Sequence, residues 1–585
     1  MRRPALIASL VAVAASLLAP SPALSQPQPL MPGVTYDRQV QFTPAGPVVL
    51  HVLTAPRPGS LWSLRPVLSN EAITGTERLT EMEQRLSAVA TTVGVNGDRF
   101  AVADGRPSGI LMRGGTLDHP PIPTRSSIGI DSSGQLRVER VALRATWQGR
   151  GPRRPFAVLN DRLGRSGVAL YTPAWGSTTP PAPGSVEVVL QPFPAAKPGG
   201  ELVGPVTQVT SGGGTPIPPD GAVLVGLGTA AARLQAEAPA GQEVRVRLLL
   251  QPDWSAVGEA LGGGPLLVRG RAVLDAGEAF PTRELATHQP RAAVGQTADG
   301  RVLLVAVDGR SLGYSSGLTT FDLALAMLRL GAVTAAALDG GGSTAMAFEG
   351  RLLNRPADPG GERPIADALL VSYEGIYAPL PAEAVLSPNG DGVAEAQSLA
   401  YKVVRPSTVT ASLVGPDGVP RLTQSEQVGP GTYPLEWAGR REDGTPELEG
   451  RWTWRVSAVD DLGRASSDER SFDLNLSLGF PRPVRPALVV PRRRPRAVAT
   501  FQLTRPSRVR MRIETPSGAL VRALGEAQLS PGTVTVAWDG MATSGALVYS
   551  GQYVARVVAV NELGSVSLAV PFAVRRSGAS PGARR

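Results

Sequence analysis

Cysteine is absent from this chain of 585 residues, which excludes disulfides, thiol nucleophiles and thiolate metal sites together. Histidine is nearly absent: His51, His119 and His288 are too few for a His-rich zinc centre and leave little material for a Ser–His–Asp triad. Lysine occurs only as Lys197 and Lys402, so arginine carries almost all of the positive charge. Together with abundant Ala, Gly and Pro, this reads as a coding bias. Beyond the N-terminal segment no apolar run is long enough to span a bilayer.

The net charge of +9 is unevenly placed. Arg2 and Arg3 near the start, six arginines between Gly479 and Arg496, and Arg575, Arg576, Arg584 and Arg585 at the end together exceed it. The remaining chain is mildly acidic, so no nucleic-acid partner is expected; the basic segments suit solvated linkers or an anionic surface polymer. Arg2 and Arg3, the apolar stretch Ala5 to Leu18 and the small residues of Ala23-Leu24-Ser25 make residues 1–25 a secretory signal, with Gln26 the first mature residue. The expected location is secreted or cell-envelope associated. No lipid can be attached through cysteine.

The length predicts several domains. Residues 33–377 mix alternating strands with a few helices. Residues 380–476 and 496–574 hold short strands and Gly/Pro/Asn/Asp turns. Between these two lies a Pro/Arg-rich segment, 477–495, a semi-extended linker by composition, and residues 575–585 form a basic tail expected to be disordered. The expected fold class is multidomain: an α+β domain with a mixed sheet, followed by two all-β Ig-like sandwiches.

The two sandwich blocks repeat one another. Arg405-Pro406-Ser407 recurs as Arg505-Pro506-Ser507, and Trp437-Ala438-Gly439 as Trp538-Asp539-Gly540, the offset growing by one residue between the two pairs. Alternation in Trp452/Trp454/Val456 and Tyr553/Ala555/Val557 marks strands with one buried face. The blocks resemble the FlgD-type Ig-like domains of exported bacterial proteins. Ser387-Pro388-Asn389-Gly390-Asp391-Gly392 invites a calcium reading, but Ser387 and Ser398 stand where a calcium loop wants its first acid and its bidentate glutamate. An Asn/Asp-stabilised turn is the plainer expectation.

The densest chemical signal is Leu338-Asp339-Gly340-Gly341-Gly342-Ser343-Thr344-Ala345-Met346: an apolar run, a carboxylate, three glycines and two hydroxyls. Successive glycine N–H groups can cradle an anion beside the acid; a tight turn is the bland alternative. Val302 to Val307 reads as a buried strand ending in Asp308-Gly309-Arg310. Leu318, Phe321, Leu325 and Leu328 then mark a helix, with Thr319 as N-cap and Gly331 as terminator. A second apolar run, Val333 to Leu338, leads to Asp339. If the two strands run parallel, Asp308 and Asp339 leave the same sheet edge. Asn96 and Asp98 at another strand exit, Arg291 before a strand, and Glu362-Arg363 after a turn could join them.

The first block resembles the phosphodiester glycosidase family, whose best-known member uncovers mannose-6-phosphate by removing N-acetylglucosamine from a sugar–phosphate–sugar diester. The likeness is carried by VGVNGDRF (93–100), RSSIGID (125–131), PPDGAVLVGLG (218–228), PRAAVGQTADGRVLLVAVDGR to LDGGGSTAM (290–346) and LLNRPADPGGERPIADALLV (352–371). Two departures stand out. Arg291-Ala292 replaces a usual Arg-Thr pair, losing a hydroxyl, and Asp367 replaces a common asparagine, adding a charge.

The resemblance implies a secreted hydrolase that cleaves a sugar-1-phosphodiester, of the N-acetylglucosamine-1-phosphate type, at the anomeric carbon of a glycan or cell-envelope polymer. Either Asp339 or Asp308 would serve as the carboxylate such cleavage needs. Arg291, Arg310 and Arg363, with Gly340, Gly341, Gly342, Ser343 and Thr344, would bind the phosphate. Asn96, Asp98 and Glu362 would orient the sugar or hold the arginines. The cluster of hard oxygens leaves room for a divalent cation, calcium or magnesium. The alternative is an exported, non-catalytic glycan-binding or adhesion protein displayed on its Ig-like modules.

Overall fold

The computed structural model describes residues 27–156, 158–273, 277–491 and 493–577. The expected signal, residues 1–25, and the end of the tail, residues 578–585, lie outside them. The chain is multidomain and mostly β, with 53% strand and 7% helix, so the helical share of an α+β first domain is far smaller than its sequence suggests.

The first domain is built on a seven-stranded sheet. Its spatial order is Gln28–Met31, Val34–Thr43, Gly46–Ala55, Val302–Val307, Arg291–Thr297, Ala332–Ala337 and Leu266–Arg269, every pairing antiparallel. A five-stranded antiparallel sheet packs against it, with Thr91–Asn96 paired between Asp367–Tyr373 and Met346–Phe348. Val294, Leu304, Val93, Val95, Leu369 and Val371 share one core between the two sheets. The only parallel pair in this domain among the described residues joins Val158–Leu159 to Gly167–Tyr171. The mixed-sheet expectation is therefore corrected to a nearly pure antiparallel one. Val302–Val307 and Ala332–Ala337 do run in the same direction, because each is antiparallel to Arg291–Thr297 between them.

The helix Thr320–Arg329 covers the outer face of the large sheet. Thr319 caps it by accepting from the Asp322 N–H, and Gly331 ends it at φ 90°. Its buried face is Leu323, Ala324, Ala326 and Met327, whereas Phe321 and Leu328 of the expected stripe face outward. Two apolar stripes share this helix, and the one holding alanine lets it lie closer to the sheet.

The two sandwiches have matching topology. Ser407–Val414 and Ser507–Glu514 each pair with a following hairpin strand and with the long strands Gly450–Asp460 and Gly551–Asn561. Trp437, Trp452 and Phe472 cluster in the first, as Trp538, Tyr553 and Phe572 do in the second. The change of offset between the copies has a structural origin. In the first copy Ala411 and Ser412 face Gln424 and Thr423, whereas in the second Met511 and Arg512 face Gly525 and Ala523. Leu524 is thus the extra residue, accommodated as a β-bulge.

The Pro/Arg-rich segment is not a spacer. Leu478–Pro483 pairs with Arg496–Leu503, and Ala487–Val490 pairs in parallel with Gly564–Arg576, which carries Arg575 and Arg576 of the expected tail. Both are edge strands, where a proline removes no needed ladder bond, and Leu488 and Val490 alternate into the core. The first domain also runs into the first sandwich without a linker. Lys402, buried, donates to the Ala90 carbonyl at 3.1 Å and to Glu349 at 2.7 Å, while Arg464 pairs with Glu374 at 2.9 Å. Around Asn389 the calcium reading finds a turn instead: the Glu395 carboxylate accepts from the Gly390 and Gly392 N–H groups, and Asp391 accepts from that of Val393.

Trp538 is buried at the centre of the second sandwich's aromatic cluster. Trp538→Ala should destabilise that domain by about 3–5 kcal/mol. Chemical denaturation of the whole chain should then show an early transition, lost from the wild-type curve, that leaves the first domain's signal in place.

Candidate active site

Three strand ends meet at one edge of the seven-stranded sheet: Arg291 opens its strand, Val307 leads into Asp308, and Ala337 into Leu338 and Asp339. A cavity of about 400 Å³ lies there, lined by Asp339, Gly340, Gly341, Arg99, Arg291 and Arg310, with residues 281–289 as its outer wall. A larger cleft of about 650 Å³ lies between the first domain and Arg464 of the first sandwich and holds none of these groups.

Asp339 is half-buried at the cavity. Burial raises its carboxyl above the usual range, and the neighbouring Asp98 adds to this; the Ser343 hydroxyl, the Arg99 charge and the Gly340 N–H pull it back. Arg291 is buried, donating to the carbonyls of Leu318, Glu284 and Thr287 at 2.7 to 3.0 Å. Burial, with Arg99 and Arg310 nearby, pushes it down to about 10. Arg310 donates to Gln289 at 2.6 Å, and neither it nor Arg291 has a carboxylate partner among the described residues. Arg99 pairs with Glu284 and lies over the ring of Phe280, which Arg125 approaches as well.

The three glycines serve close approach. A Cβ at Gly340 would meet the Pro290 carbonyl at 2.9 Å, one at Gly341 the Arg310 guanidinium at 2.9 Å, and one at Gly342 the Arg363 guanidinium at 2.1 Å. Their N–H groups are partly committed: that of Gly340 donates to Asp339 and that of Gly341 to the Pro290 carbonyl. The N–H groups of Gly340 and Gly341 are thus not free to cradle an anion, and guanidinium groups sit against Gly341 and Gly342.

Other expected site residues stand apart from the cavity. Asp308 is buried within hydrogen-bond reach of His51 Nε2 and the Tyr314 hydroxyl at 2.9 Å, Asn354 Nδ2 at 3.0 Å and the Arg355 N–H at 3.1 Å. Both its oxygens are thus engaged, and it does not line the cavity that holds Asp339. Asn96 staples the loop, donating to the Asp339 carbonyl and accepting from the Ala345 N–H. Asp98 lies behind Asp339, held by Arg125 at 3.0 Å and the Gly109 N–H at 2.7 Å. Glu362 accepts from the Thr80 N–H and hydroxyl, capping the helix Leu79–Leu86. Arg363 pairs with Asp358 and reaches the Ser343 hydroxyl from outside the cavity, and Thr344 is buried beneath. These bonds leave no set of carboxylates free to converge on a cation, so the divalent-metal reading finds no ligand set among the described residues.

The two departures resolve in structural terms. Ala292 sits in the core between the sheets, so the missing hydroxyl concerns packing. Asp367 is buried, its Oδ1 accepting from the Asp98 N–H at 2.7 Å and its Oδ2 without a partner. Burial, then Asp98 and Asp339, raise its carboxyl well above the ordinary range, which favours the protonated form, close in shape to asparagine. Arg99 and Glu284 were missed from sequence. Arg99 directly follows Asp98 and was within reach of the strand-exit reasoning; Glu284 carried no local signal.

Residues 199–372 match the phosphodiester glycosidase family and residues 495–562 the FlgD Ig-like domain. The chain thus carries a phosphodiester glycosidase domain and a FlgD-type Ig-like domain. The SPbeta prophage-derived uncharacterized protein YomE of Bacillus subtilis (strain 168) is 44% identical over 90 residues, 15% of this chain and 14% of that protein. A hypothetical protein from Synechocystis is similar in structure at TM-score 0.50 and 27% identity, over 58% of this chain and 62% of that one. The chain therefore spans less than two thirds of either relative. The zebrafish N-acetylglucosamine-1-phosphodiester alpha-N-acetylglucosaminidase catalytic domain aligns at TM-score 0.31 and 13% identity, over 60% of this chain and 85% of that one.

Folding in the raised state gives Asp367 a defined pH signature. Its folded pKa exceeds its unfolded one, so its contribution to stability is full below the unfolded value near ~4 and is lost as pH rises toward the folded value. Asp367→Asn should therefore raise the melting temperature at pH 7–8, by about 2–4 °C per kcal/mol recovered, with the gain shrinking toward pH 4. Scanning calorimetry across pH checks this.

Proposed function

We propose that this protein is an exported hydrolase that cleaves a sugar-1-phosphodiester at the anomeric carbon. The observation that carries the reading is the pairing of one half-buried carboxylate with raised pKa, Asp339, with the guanidiniums of Arg99, Arg291 and Arg310 in a single cavity. The phosphodiester glycosidase match of residues 199–372 supports the same linkage class. Cleavage at an anomeric carbon passes through an oxocarbenium-like state that a carboxylate stabilises, attacks or supplies with water. Asp339 takes that role. The departing phosphomonoester leaves as an anion, so cations can do much of what a general acid does for an ordinary alcohol. Arg291 and Arg310 supply that charge, held rigid by carbonyls and Gln289.

An N-acetylglucosamine phosphodiester is the first substrate to try. Asp339→Asn should lower kcat by at least about a thousandfold while the protein stays folded. Asp308→Asn should instead act mainly through stability, because it weakens four contacts of a buried anchor. Tight glycan binding without turnover across a panel of phosphodiesters would replace the hydrolase reading with a binding one.

Because Arg99 lowers the Asp339 pKa, its removal has a sign. If Asp339 acts ionised, kcat/KM falls as pH drops through its raised pKa. Arg99→Gln should move that acid limb to higher pH, and a pH–rate profile of the two proteins measures the shift.

A further inference from the structure

A second group of cations lies beside this cavity and takes no part in the chemistry above. Tyr314 projects from the loop after Asp308, its hydroxyl 2.9 Å from the Asp308 carboxylate. The guanidinium of Arg355 lies 5.2 Å from the centre of its ring, and that of Arg38 6.0 Å away, close enough to reach the phenol hydroxyl. Both arginines are exposed, while the tyrosine is half-buried. Neither forms a carboxylate ion pair among the described residues, unlike Arg99, Arg125 and Arg363 nearby. The Asp308 carboxylate forms no direct ion pair with either, its oxygens being taken up by His51, Tyr314, Asn354 and the Arg355 backbone. The same bonds fix the platform: the Tyr314 hydroxyl and the Arg355 N–H are tied to one buried anchor. Two like charges held against one ring, neither in a direct ion pair with a carboxylate among the described residues, make a preorganised anion seat.

Its position says what kind of anion. Asp308 and Asp339 end strands separated by the Arg291 strand alone, two strand steps or roughly 10 Å. Arg310, over Gly341, lies in sequence between Asp308 and Tyr314 and itself lines the cavity. We infer that Arg38, Tyr314 and Arg355 form a second phosphate subsite, and that the preferred substrate is a repeating sugar-phosphodiester polymer whose neighbouring phosphate rests there while Asp339 faces the scissile one. This rests on the hydrolase reading above for which end reacts, but the subsite itself does not depend on turnover.

The test uses the full chain, wild type and the Arg38→Ala/Arg355→Ala double variant, with circular dichroism and melting curves to show that the variant is folded. In the first arm, kcat/KM is measured on a single sugar-1-phosphodiester and on an oligomer of at least three such units. Wild type should prefer the oligomer by at least about tenfold, and the double variant should lose that preference. In the second arm, calorimetry measures binding of a poly(glycerol phosphate) hexamer and of glycerol 3-phosphate. The hexamer should bind more tightly to wild type, with an advantage that falls in the variant and in high salt. Equal preference in both proteins, in either arm, overturns the subsite. Absence of turnover with an intact, arginine-dependent hexamer advantage overturns the hydrolase reading and leaves the subsite standing.

Discussion

One buried carboxylate organises the functional edge of this protein. Asp308 lies in a core position where an unsatisfied charge is costly, so its neighbours must supply donors. They come from three places far apart in the chain: His51 on the strand Gly46–Ala55, Tyr314 on the loop after Asp308 itself, and Asn354-Arg355 beyond the glycine loop. Asn354 also accepts from the Met346 N–H and donates to the Thr344 carbonyl, which carries the restraint into the loop behind Asp339. The loop behind the acid that lines the cavity is thus restrained by the acid that does not line it. Two similar sequence contexts, an apolar strand followed by Asp-Gly, end in different surroundings because one strand tip is roofed by a loop and the other opens on a cavity.

That division marks the limit of what the sequence disclosed. The strands leading to Asp308 and Asp339 were legible as apolar runs, while their common direction stayed conditional until the pairing with Arg291–Thr297 was seen. The intervening antiparallel strand was not legible, since Arg291–Thr297 precedes both and joins them only through tertiary pairing. The helix Thr320–Arg329 was legible in extent from its cap and terminator, but not in orientation. Phe321 and Leu328 weigh more on a hydropathy scale than Ala324 and Ala326, yet close approach to a flat sheet favours the small residues. Arg363 and Glu362 looked like site groups because they follow a turn near the motif. Their partners, Asp358 and Thr80, could be known only from the fold.

The C-terminal half was easier to read, because it repeats. Matching tryptophans and turns gave both sandwiches, and the one-residue slip between copies already encoded the bulge at Leu524. Composition misled in the arginine- and proline-rich segment. Edge strands need donors on one side only and tolerate both residue types, so a stretch resembling a tether completes two sheets instead. Asn475, Asn561 and Ser477 bond across the junction of the two sandwiches, and Lys402 and Arg464 across that with the first domain.

The chain's poverty in lysine acquires a practical meaning from these junctions. Lys402 is sealed between two domains by Glu349 and a carbonyl, whereas Lys197 is exposed on the first domain and does not line the Asp339 cavity. Acylating reagents aimed at side-chain amines therefore have one accessible address. A dye or a biotin attached to that side chain would leave the arginine-lined edge unmodified.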